Sequence, residues 1–313
     1  MNKLFIYLAA FVAITLSGCG STAPANTSTA NNAAAPAPKD YSVKSPAFGS
    51  SAPDTAEAVK FPFEDFPPAE TTAKPGEYVL VPSYNWIKDA AEKGVESTSF
   101  IWYVQKMAAP DKVNSEVQFM SERKKVPNAY IIAIPPKQTV KRGDVVVTWW
   151  QSGSGMNRAI VVDDSDPIAP VVRYLDIAYD NPAKSRDGTT TIGQMNEKIV
   201  PDSYVKLKEW DPGTTVAIQD GANLKKGRII RVAGDKILVM ESIGKLKVYP
   251  KSACKPVPIV PQVKNGDRVK APFVDTFKDA TVVRIDADIG RVFVKFDGQT
   301  DEKAMAFGDI LKN

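Results

Sequence analysis

The side chains able to do covalent chemistry are few. The 313-residue chain has no histidine and two cysteines, which excludes a Ser-His-Asp triad, a Cys-His pair and a His-ligated zinc. Two cysteines cannot build a multi-cysteine metal site or a disulfide scaffold. A serine with a lysine three residues on can form a nucleophile and its base. That spacing occurs at Ser121/Lys124, Ser203/Lys206, Ser242/Lys245 and Ser252/Lys255, four scattered copies that read as chance. Asp286-Ala287-Asp288-Ile289-Gly290 and Asp163-Asp164-Ser165-Asp166 contain pieces of a calcium loop but not its full ligand set, and turn chemistry explains them better. The aromatics are the better lead. Four of the five tryptophans, Trp86, Trp102, Trp149 and Trp150, fall in one stretch with Tyr84 and Tyr103. Neighbouring strand residues face opposite ways, so Trp149 and Trp150, like Trp102 and Tyr103, cannot both enter one core. Trp86, Trp102, Tyr103, Trp149 and Trp150 are therefore the expected binding aromatics, and packing between modules is the competing reading.

The first nineteen residues carry an address. Lys3 precedes an uninterrupted apolar run, Leu4 to Leu16. As a helix the run reaches about 20 Å, short of the roughly 30 Å hydrocarbon core, so a secretory leader is favoured over a transmembrane anchor. Leu16-Ser17-Gly18-Cys19, followed by Gly20, resembles the lipobox of bacterial lipoproteins. The resemblance implies cleavage before Cys19, a diacylglyceryl group on its sulfur and an acyl chain on its amine. Several acyl chains make anchoring stable, and by the family's sorting rule Gly20 points to the bacterial outer membrane rather than the inner. Cys254 is then unpaired, and a packed, inert thiol is expected.

Residues 20–57 are rich in Ala, Ser, Thr, Asn and Pro, a composition unable to offset the entropy of ordering. The segment 19–75 is read as a tether, with Phe61, Phe63 and Phe66 interrupting it as a stretch that either packs on the first module or binds as an extended peptide. From Gly76 the pattern is short β-branched and aromatic runs divided by Asp-Gly and Asn-Gly turns, with a short helix expected from Asn85 to Lys93 and a turn between Ala304 and Leu311. Gly76, Gly143, Gly213 and Gly266 each open a Gly-x-x-Val strand, dividing the chain into a leader (1–18), the tether (19–75) and β modules at 76–142, 143–212, 213–265 and 266–313.

The last module is the clearest. Gly266-Asp267-Arg268-Val269, Ala280-Thr281-Val282-Val283, Val292-Phe293-Val294-Lys295-Phe296 and Asp309-Ile310 resemble a Tudor or Agenet module, a small SH3-like barrel. The third module matches in three strands and the first two only loosely. The fold expectation is therefore all-β: tandem SH3-like, Tudor-like barrels behind a leader and tether. The resemblance implies ligand binding by rim aromatics.

Net charge is +4, with both signs interspersed. The clusters Arg123-Lys124-Lys125 and Lys225-Lys226-Gly227-Arg228 are read as solvated surface, and no nucleic-acid partner is expected. The functional expectation is a non-catalytic binding or scaffold module of the cell envelope, without a cofactor, whose partners are the membrane, through its lipid, and envelope proteins, peptidoglycan or host molecules. The alternatives are an envelope enzyme or accessory subunit using Cys254 or carboxylates brought together by folding, with a site between modules, and a structural spacer.

Overall fold

Four glycines with positive φ set the architecture. Gly76, Gly143, Gly213 and Gly266 have φ of 86°, 87°, 91° and 86°, a backbone region that residues with a Cβ avoid. Each turns the chain so that its N–H bonds into the second strand of its own module: Gly76 to the Met107 carbonyl, Gly143 to Val161, Gly213 to Ile229 and Gly266 to Val282, at 2.8–2.9 Å. The same four second-strand residues return an N–H to the residue after the glycine, namely Glu77, Asp144, Thr214 and Asp267. In three modules a carboxylate closes the turn by accepting the N–H three residues back: Glu77 from Lys74, Asp144 from Lys141 and Asp267 from Lys264.

The computed structural model describes residues 59–95, 100–152, 155–185, 188–241 and 244–312. The leader, Cys19 and the tether through residue 58 lie outside the described residues. The first module holds β1 (Tyr78–Pro82), α1 (Tyr84–Lys93), β2 (Trp102–Ala109), β3 (Asn114–Phe119), β4 (Glu122–Pro127) and β5 (Ile132–Ala133). The second holds β6 (Val145–Trp149), β7 (Met156–Asp163), β8 (Val171–Tyr174), β9 (Asn196–Lys198) and β10 (Tyr204–Lys206). The third holds β11 (Thr215–Asp220), β12 (Asn223–Ala233), β13 (Lys236–Met240), β14 (Leu246–Pro250) and β15 (Cys254–Pro256). The fourth holds β16 (Arg268–Phe273), β17 (Thr276–Asp286), β18 (Arg291–Phe296), β19 (Glu302–Ala306) and β20 (Leu311–Lys312).

The chain is all-β, and the four modules share one topology. Each is a four-strand antiparallel meander whose first strand also pairs with the short fifth strand, giving the order 4-3-2-1-5. Each second strand carries a bulge against the third, between Met107 and Ala109, Val161 and Asp163, Ile229 and Arg231, and Val282 and Arg284. A bulge bends and twists its strand, and here it lets a short meander curl until its ends approach. The first two modules, loosely matched in sequence, are thus built like the last two. Where a turn was expected from Ala304 to Leu311, β19 runs to Ala306 and a tight turn, Asp309 N–H to the Ala306 carbonyl at 3.1 Å, leads into β20.

Successive strand residues serve two cores. Val146, Ala159, Val161 and Val172 fill the second barrel, while Val145, Val147 and Ile160, on the opposite face, join a large cluster shared by all four modules. In the third barrel Ile229 and Val239 point inward, and Ile230 and Leu238 enter the shared cluster. Ala217 packs with Val257, Phe277 and Leu311 against the fourth. At about 1.5–3 kcal/mol for each fully buried large aliphatic side chain, these interfaces are part of the stability of the fold.

Packed structure is present on the N-terminal side of Gly76. Residues 59–75, assigned from sequence to the tether, form a strap. Phe66, Ala69 and Ala73 are buried, Phe61 meets the Tyr130 ring edge-on at 5.0 Å, Asp65 lies 3.6 Å from Lys236, and the Glu70 carbonyl accepts from Arg231. The physical reason is the phenylalanines, whose large apolar rings offset the cost of ordering a short segment.

Candidate functional site

The first barrel differs from the others in what fills the connection between its first and second strands. There α1 is inserted, capped by Ser83, whose Oγ accepts from the Trp86 N–H at 3.2 Å. The cap places Tyr84 at the start of the helix, beside the β3–β4 hairpin, with its ring 5.9 Å from that of Phe119. Tyr103, on the outward face of β2 opposite Val81, completes an aromatic wall. Together with Met120 at the hairpin tip and Gln105 and Glu122 at the margins, these side chains line a groove of about 450 Å³.

The tip itself is costly. Met120 is 95% exposed and has φ of +51°, where glycine or asparagine would be at ease. A side chain so exposed buries little apolar area in the fold and is free to meet a partner at the surface. Gln118 braces the tip, its Nε2 donating to the carbonyls of Met120 at 2.8 Å and Glu122 at 3.2 Å. Lys124 reaches back over the Tyr84 ring, 5.6 Å from its centroid, and pairs with Glu122 at 3.1 Å. The groove therefore offers flat aromatic faces, an adaptable thioether and one ion pair, an arrangement suited to gripping an apolar or aromatic side chain on an extended partner.

The five aromatics chosen from sequence occupy separate environments. Trp86 and Trp102 lie inside, T-stacked on either side of Phe100 at 5.0 and 5.2 Å. Trp150 is partly buried 6.1 Å from Tyr174 in the second barrel. Tyr103 and Trp149 are on the surface, and Tyr103 belongs to the groove. Strand alternation explains the split within each adjacent pair. Phe119 and Met120 were missed; the available signal was an apolar pair at a hairpin tip where turn residues belong.

The solved structures similar to this chain include two repeat proteins. The tandem Agenet domains 3-4 of ADCP1 align with 17% identity over 33% of this chain and 80% of that one, with a TM-score of 0.21. The four MBT repeats of Drosophila melanogaster Sfmbt, in complex with the peptide RHR(me)KVLR, align with 11% identity over 77% of this chain and 88% of that one, with a TM-score of 0.16. No family model and no curated protein matches the sequence.

A second constellation lies where barrels two, three and four meet, and it corrects the surface reading of Lys225-Lys226-Gly227-Arg228. Arg158 of β7 is 2% exposed and donates from Nε (2.9 Å) and Nη2 (2.7 Å) to Asp176. Its Nη2 is also 3.1 Å from Asp309, and its Nη1 donates to Thr215 Oγ1 at 3.0 Å. Arg228 clasps Asp176 with both terminal nitrogens, and Lys226 pairs with Asp309 at 2.9 Å. β12 faces the junction with Lys226 and Arg228, so two residues of the basic run are half-buried there.

Here are the two neighbouring buried carboxylates that an enzyme reading would ask for. Burial alone would push Asp176 up, but Arg158 and then Arg228 outweigh it and hold the carboxyl well below its usual range. Burial is likewise overcome at Asp309 by Arg158 and Lys226, and its pKa is lowered. An acid–base pair needs environments that drive two pKa values apart. Both are driven down, so neither keeps a proton to give at neutral pH. The Ser203/Lys206 spacing brings no activation either: Ser203 Oγ donates to the Val200 carbonyl at 2.6 Å while Lys206 pairs with Asp144 at 2.6 Å. Cys254, half-buried at the start of β15, has its thiol pushed up to about 11 by burial, which suppresses the thiolate. Among the described residues no group of three His, Cys, Asp or Glu is placed to hold a metal ion.

Proposed function

We propose that this protein is a non-catalytic binding module held at a bacterial envelope membrane by lipid on Cys19, and that the Tyr84–Tyr103–Phe119–Met120 groove is its recognition surface. The observation that carries the reading is Met120, an apolar side chain held in a strained conformation in full solvent exposure beside three aromatic rings. The ligand class this chemistry favours is an extended protein segment with an apolar or aromatic anchor. The four-barrel body supports the groove, and the lipid, by the lipobox resemblance, supplies the location.

A photo-crosslinking amino acid at position 120, in cells producing the full chain, tests the site. A discrete envelope adduct is expected that disappears when Tyr103→Ser or Phe119→Ser is added. Adducts indifferent to both substitutions count against the groove. Cys19→Ala tests the anchor separately: the protein should leave the membrane fraction, and a variant that stays there removes the lipid from the account.

A further inference from the structure

The cleft between barrels two, three and four carries a charge imbalance that the ion pairs described above leave in place. Asp176 is met by Arg158 and Arg228, and Asp309 by Arg158 and Lys226. A fourth cation, Arg291 of β18, is 2% exposed. Its Nη2 donates to the carbonyls of Tyr174 and Ile177, both at 2.9 Å, and no carboxylate lies within ion-pair distance of it among the described residues. Its Nε is buried without an acceptor. The acids acting on it are Asp176 and Asp309, already shared by three other cations, and Arg158 and Arg173 oppose them, so that burial leaves its pKa lowered. Glu241 and Asp275 line a neighbouring pocket together with Lys226 and Arg228.

Four cations thus face two carboxylates in a layer largely shielded from water, and an unpaired buried charge is among the most expensive features a fold can hold. Three of these cations, Lys226, Arg228 and Arg291, and both carboxylates, Asp176 and Asp309, line a cavity of about 300 Å³. Arginine's planar fork and lysine's point charge are the usual partners of carboxylate and phosphate oxygens.

We propose that this cleft binds a small oxyanion, a phosphate or a carboxylate, with Arg291 and Lys226 as its principal donors. The anion balances the excess charge and ties the second, third and fourth barrels through one ligand. The site is independent of the groove on the first barrel.

The test is thermal unfolding of the lipid-free folded chain in sodium phosphate, sodium acetate and sodium chloride at matched pH and ionic strength. Phosphate or acetate should raise Tm saturably, by about 4 °C well above the dissociation constant, with chloride lacking the effect; which of the two acts identifies the anion class. Ala304→Leu, which fills the cavity wall and removes no charge, and Arg291→Gln should each abolish the increment. Should Arg291→Gln fail to fold, Ala304→Leu decides alone. Equal Tm in all three salts, or an increment that survives Ala304→Leu, overturns the proposal.

Discussion

Arg158 shows how much one side chain can be asked to hold. It lies on β7 of the second barrel, yet its donors reach Asp176 of its own barrel, Thr215 of the third, and Asp309 and the Phe307 carbonyl of the fourth. Removing one acid leaves the cations stranded rather than simply deleting a contact. Asp176→Asn should therefore cost about 3–5 kcal/mol, whereas Arg142→Ala, which breaks the exposed 2.9 Å pair with Asp288, should cost at most about 1 kcal/mol. Urea unfolding of the two variants checks the contrast, and equal losses would contradict it. None of this could be read from the run Lys225-Lys226-Gly227-Arg228, because its acidic partners are 52 and 83 residues away and sequence alone does not say which face of β12 a neighbouring barrel covers. The groove was half legible for a similar reason. Tyr103 followed from strand alternation beside Trp102, but Phe119 and Met120 become meaningful only once α1 folds back beside them.

At the scale of the element, the repeating unit is a turn, a bulge and a closing strand. The glycine openings were visible in sequence, since φ near +86° admits little else. The bulges were not, because a skipped residue such as Ala108 or Val162 leaves no mark in composition. Nor was the double use of strand faces: Val145-Val146-Val147 reads as one apolar run, and only the fold assigns its middle residue to one core and its flanks to another. Gly266→Ala isolates the backbone term. A methyl there would touch nothing within 4 Å, so the expected loss, about 1–2 kcal/mol, comes from conformation alone. Gly227→Ala adds overlap with Val239 and Ile218 inside the third barrel and should cost more. Denaturant midpoints of the two proteins check the order, and a Gly266→Ala protein as stable as the parent would show that the opening turn tolerates a side chain.

For the whole molecule, the ionic junction predicts an acid limit. Asp176 and Asp309 have folded-state pKa values below the ordinary carboxylate value. Groups lowered in this way stabilise the fold at pH above their unfolded value, about 3.9, and that contribution is lost as pH falls from there toward the folded values. The urea midpoint should hold steady from pH 7 to about 5 and then drop steeply below about 4. In Asp176→Asn the drop should be shallower, because one of the two titrating groups is gone. A parent profile that stays flat to pH 2 would mean that the junction carries no net stability.

The strap has a mechanical consequence. Any pull transmitted from the chain ahead of residue 59 enters the body through Phe61, Asp65 and Glu70, which are held by ring contacts, one long ion pair and one carbonyl bond rather than by a sheet ladder. Such contacts can peel away one after another, whereas paired strands must shear together, so under load the strap should yield first while the barrels behind it stay intact.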